Sequence, residues 1–92
     1  MKYRSRTEIV VVILEIVSQG ATKTRVMYKA YLSYSQLTQY MSFLIENKLI
    51  ERKLGSELYT LTGKGRRLMH VYQELNDMIP LKKGQTKFLS NV

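Results

Sequence analysis

Five cations and a short polar run carry the chemistry in this chain. Lys23, Arg25 and Lys29 come first, Ser33, Tyr34, Ser35, Gln36 and Gln39 follow, and Arg52 and Lys53 stand downstream. Lysine and arginine neutralise phosphate. A glutamine amide offers a donor and an acceptor that match adenine N6 and N7. Seryl and phenolic hydroxyls, including that of Tyr28, reach either a base or a phosphate. Residues of this kind recognise a polyanion that also has edges to read, which is a description of nucleic acid.

Catalytic chemistry is poorly served by the same sequence. His70 is the only histidine and cysteine is absent, so thiolate metal sites and disulfides are excluded. No carboxylate pair sits at metal-ligand spacing, and the acids are scattered rather than paired for acid–base work. Gly63-Lys64-Gly65 lacks the upstream glycine and the following Ser or Thr of a phosphate-binding loop. It reads better as a helix N-terminus after a strand, with free backbone N–H groups able to hold a DNA phosphate. The expectation is therefore a protein that is not an enzyme, with no cofactor, no metal and no evident small-molecule ligand.

The overall charge agrees. Fifteen Lys and Arg against seven Asp and Glu leave the 92-residue chain at +8, with a pI near 9.9. Such a charge draws a protein to polyanions and speeds association. Lys2, Arg4 and Arg6 add a basic N-terminal arm. The apolar run over residues 9–14 is far short of the roughly 20 residues of a membrane span. Glu8 and Glu15 bracket it, so a signal peptide is also a poor fit. A cytoplasmic, nucleoid-associated protein with no membrane partner is expected.

The elements that must position these residues follow from periodicity and caps. Residues 6–19 carry Ile9, Val10, Ile13, Ile16 and Val17 at helical spacing, with Ser5 or Thr7 as cap and Gly20 as stop. Thr22 caps a short helix to about Ala30, with Val26, Met27 and Ala30 on one face and Arg25, Tyr28 and Lys29 on the other. Ser33 caps a third helix over residues 34–48. Leu37, Met41, Leu44, Ile45 and Lys48 line its inner side, and Ser35, Gln39, Ser42 and Glu46 line its outer side. A hairpin then pairs residues 49–54 with 57–61 through Gly55-Ser56. In that register Ile50 faces Leu61 and Arg52 faces Tyr59. Thr62 caps a last helix that ends before Pro80.

This order predicts a mainly α fold with a small β-hairpin: a winged helix-turn-helix with a three-helix core, a two-stranded wing and a C-terminal helix. One domain is expected over residues 1–79, including the helix at 62–79. A basic, flexible tail is expected over 80–92, with Lys82, Lys83 and Lys87. In a helix-turn-helix the first helix crosses the DNA backbone and the second enters the major groove. Lys23, Arg25, Lys29, Arg52 and Lys53 then fall to phosphates, and Ser35, Gln36 and Gln39 to the groove.

The chain resembles small archaeal winged-helix DNA-binding proteins of the chromatin-associated type that pair through a C-terminal helix. The resemblance rests on TKTRVMYKAYLSYSQL at 22–37, Tyr40, Leu44, NKLI at 47–50 and YTLTGKG at 59–65, and it covers about residues 4–79. It implies a double-stranded DNA-binding homodimer, a transcription regulator or architectural protein, whose last helices meet as an antiparallel coiled coil. Leu68, Val71, Leu75 and Met78 are the candidate dimer contacts. Pro80 departs from that pattern, because it leaves room for only a short helix pair. Two rival functions fit the residues: a protein-interaction winged helix with an aromatic patch of Tyr28, Tyr34 and Phe43, and an RNA-binding protein that displays tyrosines for base stacking.

Overall fold

The computed structural model of the chain describes residues 5–79; the tail expected over 80–92 and the arm residues Lys2 and Arg4 lie outside them. Its order is α1 (Arg6–Val17), α2 (Lys23–Lys29), α3 (Tyr34–Glu46), β1 (Ile50–Arg52), β2 (Tyr59–Leu61) and α4 (Gly63–Met78).

Each helix begins at a side chain that accepts from the amide three residues on, one of the free amides of its first turn. Ser5 opens α1 with a reciprocal capping box: the Glu8 amide donates to Ser5 Oγ at 3.1 Å, and the Ser5 amide donates to Glu8 Oε1 at 2.8 Å. The buried side of α1 is Val11, Ile13, Leu14 and Val17, while Ile9, Val10 and Ile16 are half-buried. The expected face is therefore rotated and widened. The cause is packing on several sides at once, since α1 touches α2, β2 and α4. Ile13, Leu14, Val17, Val26, Leu44 and Ile50 form the fully buried centre.

Gly20, at φ +87°, turns the chain into Ala21. Ala21 then exchanges two backbone hydrogen bonds with Tyr59, at 3.1 and 2.8 Å. This isolated bridge acts as a one-residue third strand and pins the start of β2 to the residue just before the α2 cap.

Helices α2 and α3 form the helix-turn-helix, and both end in the same way. At the end of α2 the Leu32 amide donates to Met27 O and the Tyr31 amide to Tyr28 O, at 3.0 and 3.3 Å. At the end of α3 the Leu49 amide donates to Leu44 O and the Lys48 amide to Ile45 O, at 2.9 and 3.0 Å. Each is a Schellman closure with a left-handed residue, a position usually held by glycine. Here Tyr31 (φ 57°) and Lys48 (φ 59°) hold it. Leu37, Met41 and Leu44 bury α3, whereas Ile45 and Lys48, expected inside, are exposed. The left-handed turn at Lys48 carries its side chain off the helical line, so the inner stripe ends at Leu44 and resumes at Leu49.

The hairpin has the expected register, Ile50 opposite Leu61 and Arg52 opposite Tyr59. Its turn differs from the Gly55-Ser56 link. The Lys53 amide donates to Leu58 O at 2.7 Å and the Ser56 amide to Lys53 O at 3.0 Å, which leaves residues 54–57 as the loop. The turn is centred on Leu54 and Gly55, with Gly55 at φ +74° in the third position, where a type II turn takes a positive φ. Ser56 instead stitches the loop: its Oγ accepts from the Leu58 amide at 3.0 Å, and its carbonyl accepts from Arg52 Nε at 2.8 Å.

The start of α4 is clamped to the end of α3. Thr62 Oγ1 accepts from the Gly65 amide at 3.0 Å and donates to Lys48 O at 2.5 Å. Lys64 Nζ donates to Asn47 O at 3.0 Å, adding a cation to the negative end of the α3 dipole. These bonds occupy the cap amide of Gly65 and the Lys64 amine, so this helix start helps to hold the fold together. Thr62→Ala is expected to cost about 1–2 kcal/mol, because it removes a cap and an inter-helix bond together; a urea unfolding curve measures it.

Along α4, Tyr72 is half-buried and Met69 packs against the core. Burial, then the Glu8 and Glu15 carboxylates on α1, push the Tyr72 phenol above its ordinary pKa. Leu68, Val71, Leu75, Met78 and Ile79 are exposed. Leu68, a candidate dimer contact, is 39% exposed, while α1 packs against the neighbouring side of the helix.

Candidate nucleic-acid interface

Arg25, Tyr28 and Lys29 occupy the side of α2 opposite the buried Val26 and Ala30, and Lys23 is exposed in its first turn. Ser33, Tyr34, Ser35, Gln36 and Gln39 are exposed at and beyond the start of α3, and Arg52 and Lys53 are exposed on the wing. The Ala21–Tyr59 bridge joins the first and last of these groups. It sets the beginning of α2 beside β2, and Lys23 Nζ lies 5.9 Å from the centre of the Tyr59 ring. Lys23 is thus shared between solvent and a cation–π contact.

Arg25 and Lys29, one helical turn apart, border an open groove of about 600 Å³ between α1, the start of α2 and the wing. Ile16, Ala21 and Leu58 contribute apolar lining, and Glu15 is the only acid among the lining residues. The sequence carried no sign of this groove, because residues from three separate segments build it. Among the described residues the sole carboxylate contact of a basic side chain is His70 with Glu74, at 3.4 Å along α4. The cations of α2 and the wing therefore have no carboxylate partner there.

The outer side of α3 is not uniformly free. The Gln36 amide N–H donates to Ser33 Oγ at 3.1 Å, and Gln36 Oε1 accepts from the Ser33 amide at 3.0 Å. A bidentate adenine contact needs that same Oε1, so Gln36 is first of all the partner in a capping box. Thr38 Oγ1 is likewise turned inward, donating to Tyr34 O at 3.0 Å. Gln39 makes no such bond among the described residues and lies on the helix sector opposite Met41 and Leu44. Ser42 and Glu46 continue that sector. Glu46 adds an acceptor suited to cytosine N4.

Two exposed residues were not among the candidates. Leu54 is 99% exposed at the wing tip, and Tyr31 is 76% exposed at the corner of the helix-turn-helix. The spacing of tyrosines at 28, 31 and 34 was the available signal for Tyr31. Nothing short of the turn geometry marked Leu54.

Three helices, a pinned hairpin and a helix after the wing define a winged helix-turn-helix. The chain belongs to the winged helix-turn-helix family, whose model matches residues 3–80. It is similar to the uncharacterized protein MJ0287 of Methanocaldococcus jannaschii, with 35% identity over 80 residues covering 86% of this chain and 80% of that one. Among solved structures it resembles Sso10a-2, a DNA-binding protein from Sulfolobus solfataricus. There the TM-score is 0.70 at 23% identity, over 96% of this chain and 95% of the other. It also resembles the PcaV transcriptional regulator of Streptomyces coelicolor, with a TM-score of 0.57 at 16% identity, over 98% and 72% of the two chains. At these identities the structural likeness speaks to the fold.

Proposed function

We propose that the protein binds double-stranded DNA, as a transcription regulator or chromatin-type architectural protein, with α3 in the major groove. Lys23, Arg25 and Lys29 on α2 and Arg52 and Lys53 on the wing take phosphates. Ser35 and Gln39 meet base edges, and Tyr28, Ser33, Tyr34 and Gln36 border the contact. The observation that carries this reading is the exposed, polar outer side of α3 beside cations that have no carboxylate partner among the described residues. The family and the DNA-binding and regulator functions of the two similar structures support it. No helix among the described residues is long and apolar enough to cross a membrane, and the site of action on this reading is the chromosome.

The same proposal includes a homodimer. Leu68, Val71, Leu75 and Met78 run along α4 at spacings of three and four and are 38 to 79% exposed. The 16 residues of α4 span about 24 Å at 1.5 Å per residue, enough for a short antiparallel pair.

The test is a salt titration of binding to random and specific duplexes by fluorescence anisotropy, with mass measured by light scattering. Five phosphate contacts at about 0.9 each give a log–log slope near −4.5 per protomer, or about a 500-fold loss between 50 and 200 mM salt. Binding indifferent to salt, or stronger for single-stranded RNA, contradicts the proposal; a mass of one 10.8 kDa chain contradicts the dimer. Within the groove, Gln39→Ala is expected to relax discrimination at one base pair by about 1–3 kcal/mol. Gln36→Ala should instead lower stability by about 0.5–1 kcal/mol through its cap. A comparison of duplexes substituted one position at a time, alongside thermal melts, separates the two.

A further inference from the structure

Tyr31 holds a place where the fold asks for glycine. It is the left-handed residue of the α2 Schellman closure, at φ 57°. A side chain with a Cβ is disfavoured in that conformation. The cost is not offset by packing, because Tyr31 is 76% exposed. Its side chain makes no hydrogen bond or ring contact among the described residues. A strained, exposed aromatic at one position points to a role outside the fold.

The neighbours of Tyr31 indicate what that role is. Tyr28 and Tyr34 lie three residues to either side and are 70% and 75% exposed. Between them the chain turns from α2, which carries Arg25 and Lys29, into Ser33, the cap of α3. The corner thus presents three phenols between the cations and the polar helix. A phenol donates a hydrogen bond to a phosphate oxygen without carrying charge. The Schellman bonds hold the backbone at Tyr31, so little of its main-chain freedom remains to be lost on contact.

We infer that Tyr31, flanked by Tyr28 and Tyr34, is a DNA-backbone contact: its hydroxyl donates to a phosphodiester oxygen and sets the depth at which the start of α3 enters the groove. This rests on the duplex-binding reading above, and it makes a distinct claim about how charge and affinity separate. Cationic contacts release counterions and contribute to the salt slope. Neutral hydroxyl contacts add affinity with no effect on that slope.

The experiment compares wild type, Tyr31→Phe, Tyr31→Gly and the triple variant Y28F/Y31F/Y34F on one random duplex across a salt series, with a thermal melt of each. Tyr31→Phe is expected to weaken binding about tenfold with the slope unchanged, and the triple variant to weaken it further. Tyr31→Gly is expected to melt a few degrees higher, by relief of the left-handed strain, while binding as weakly as Tyr31→Phe or more so. Wild-type affinity in both single variants overturns the inference and leaves the duplex reading intact. Normal binding by the Phe variants with loss in Y28A/Y31A/Y34A, together with a preference for single strands, also overturns it, since that is ring stacking. Failure of the wild-type protein to bind any duplex in a salt-dependent way marks the underlying reading, rather than Tyr31, as wrong.

Discussion

Replacing Arg25 and Lys29 together by alanine weakens binding to a random duplex by about 60-fold at 0.1 M salt and shallows the log–log salt slope by about 1.8. Each lost phosphate contact removes about 0.9 from the slope, which at that salt is roughly an eightfold loss. The two side chains are well placed for a clean result. They sit one turn apart on the outer side of α2, are exposed, and have no carboxylate partner among the described residues. Removing them leaves no buried charge behind, and alanine is a better helix former than either. Stability should therefore stay within about 0.5 kcal/mol of wild type. The corresponding charge reversals should bind more weakly still, because Glu15 already lines the same groove. A partner protein held by the aromatic side chains would be largely indifferent to all of these changes. An unchanged slope in the double variant would remove α2 from the interface.

Gly65→Ala produces the largest expected loss of stability. Gly65 is the buried residue of α4, and it lies directly beneath the backbone of Leu49. A methyl group there would overlap the Leu49 carbonyl oxygen, with the Leu61 side chain crowding it at 3.3 Å. Backbone cannot swing aside as a flexible side chain can. The Leu49 carbonyl is moreover the acceptor for the Thr62 amide at 3.1 Å. Relief thus requires α4 to move away from the end of α3, breaking the Thr62 and Lys64 bonds to Lys48 and Asn47. A cost of about 2–4 kcal/mol follows, which lowers the melting temperature of a domain this size by about 10–25 °C. Gly63→Ala is the matched control, since its added methyl would meet nothing within 4 Å; its melting temperature should be equal or slightly higher. Equal melting for both variants would mean that α4 is not seated on α3 as described.

Local chemistry made much of this architecture legible from residues alone. Ser5, Thr22, Ser33 and Thr62 each accept from an amide three residues on, as hydroxyls just before periodic apolar residues should. The register of Ile50 with Leu61 follows from the need to bury both on one face. Features that depend on long-range packing were not legible in the same way. The Ala21–Tyr59 bridge has no pattern, being a single residue. The buried face of α1 depends on which neighbours surround it, and its apolar residues lie on too many sides to decide. Both Schellman ends were hidden because Tyr31 and Lys48 stand where glycine would have announced them. The capping box of Ser33 and Gln36 was visible as an S-x-x-Q spacing. Its consequence, that the Gln36 carbonyl is already engaged, emerges only from the distances. At the wing, Leu54-Gly55 and Gly55-Ser56 are both plausible turn centres, and the hydrogen bonds of Ser56 decide between them.

Amide chemical-shift mapping during titration with a duplex tests the central claim most directly, since it reports which residues the DNA meets. The expected result is a set of shifts confined to α2 and its cap, the corner at Tyr31, the outer side of α3 around Ser35, Gln39 and Ser42, and the wing from Arg52 to Gly55. Residues of α4 from Leu68 to Met78 should stay still. Shifts centred on α4 or on the outer side of α1, with α3 unmoved, would contradict the account.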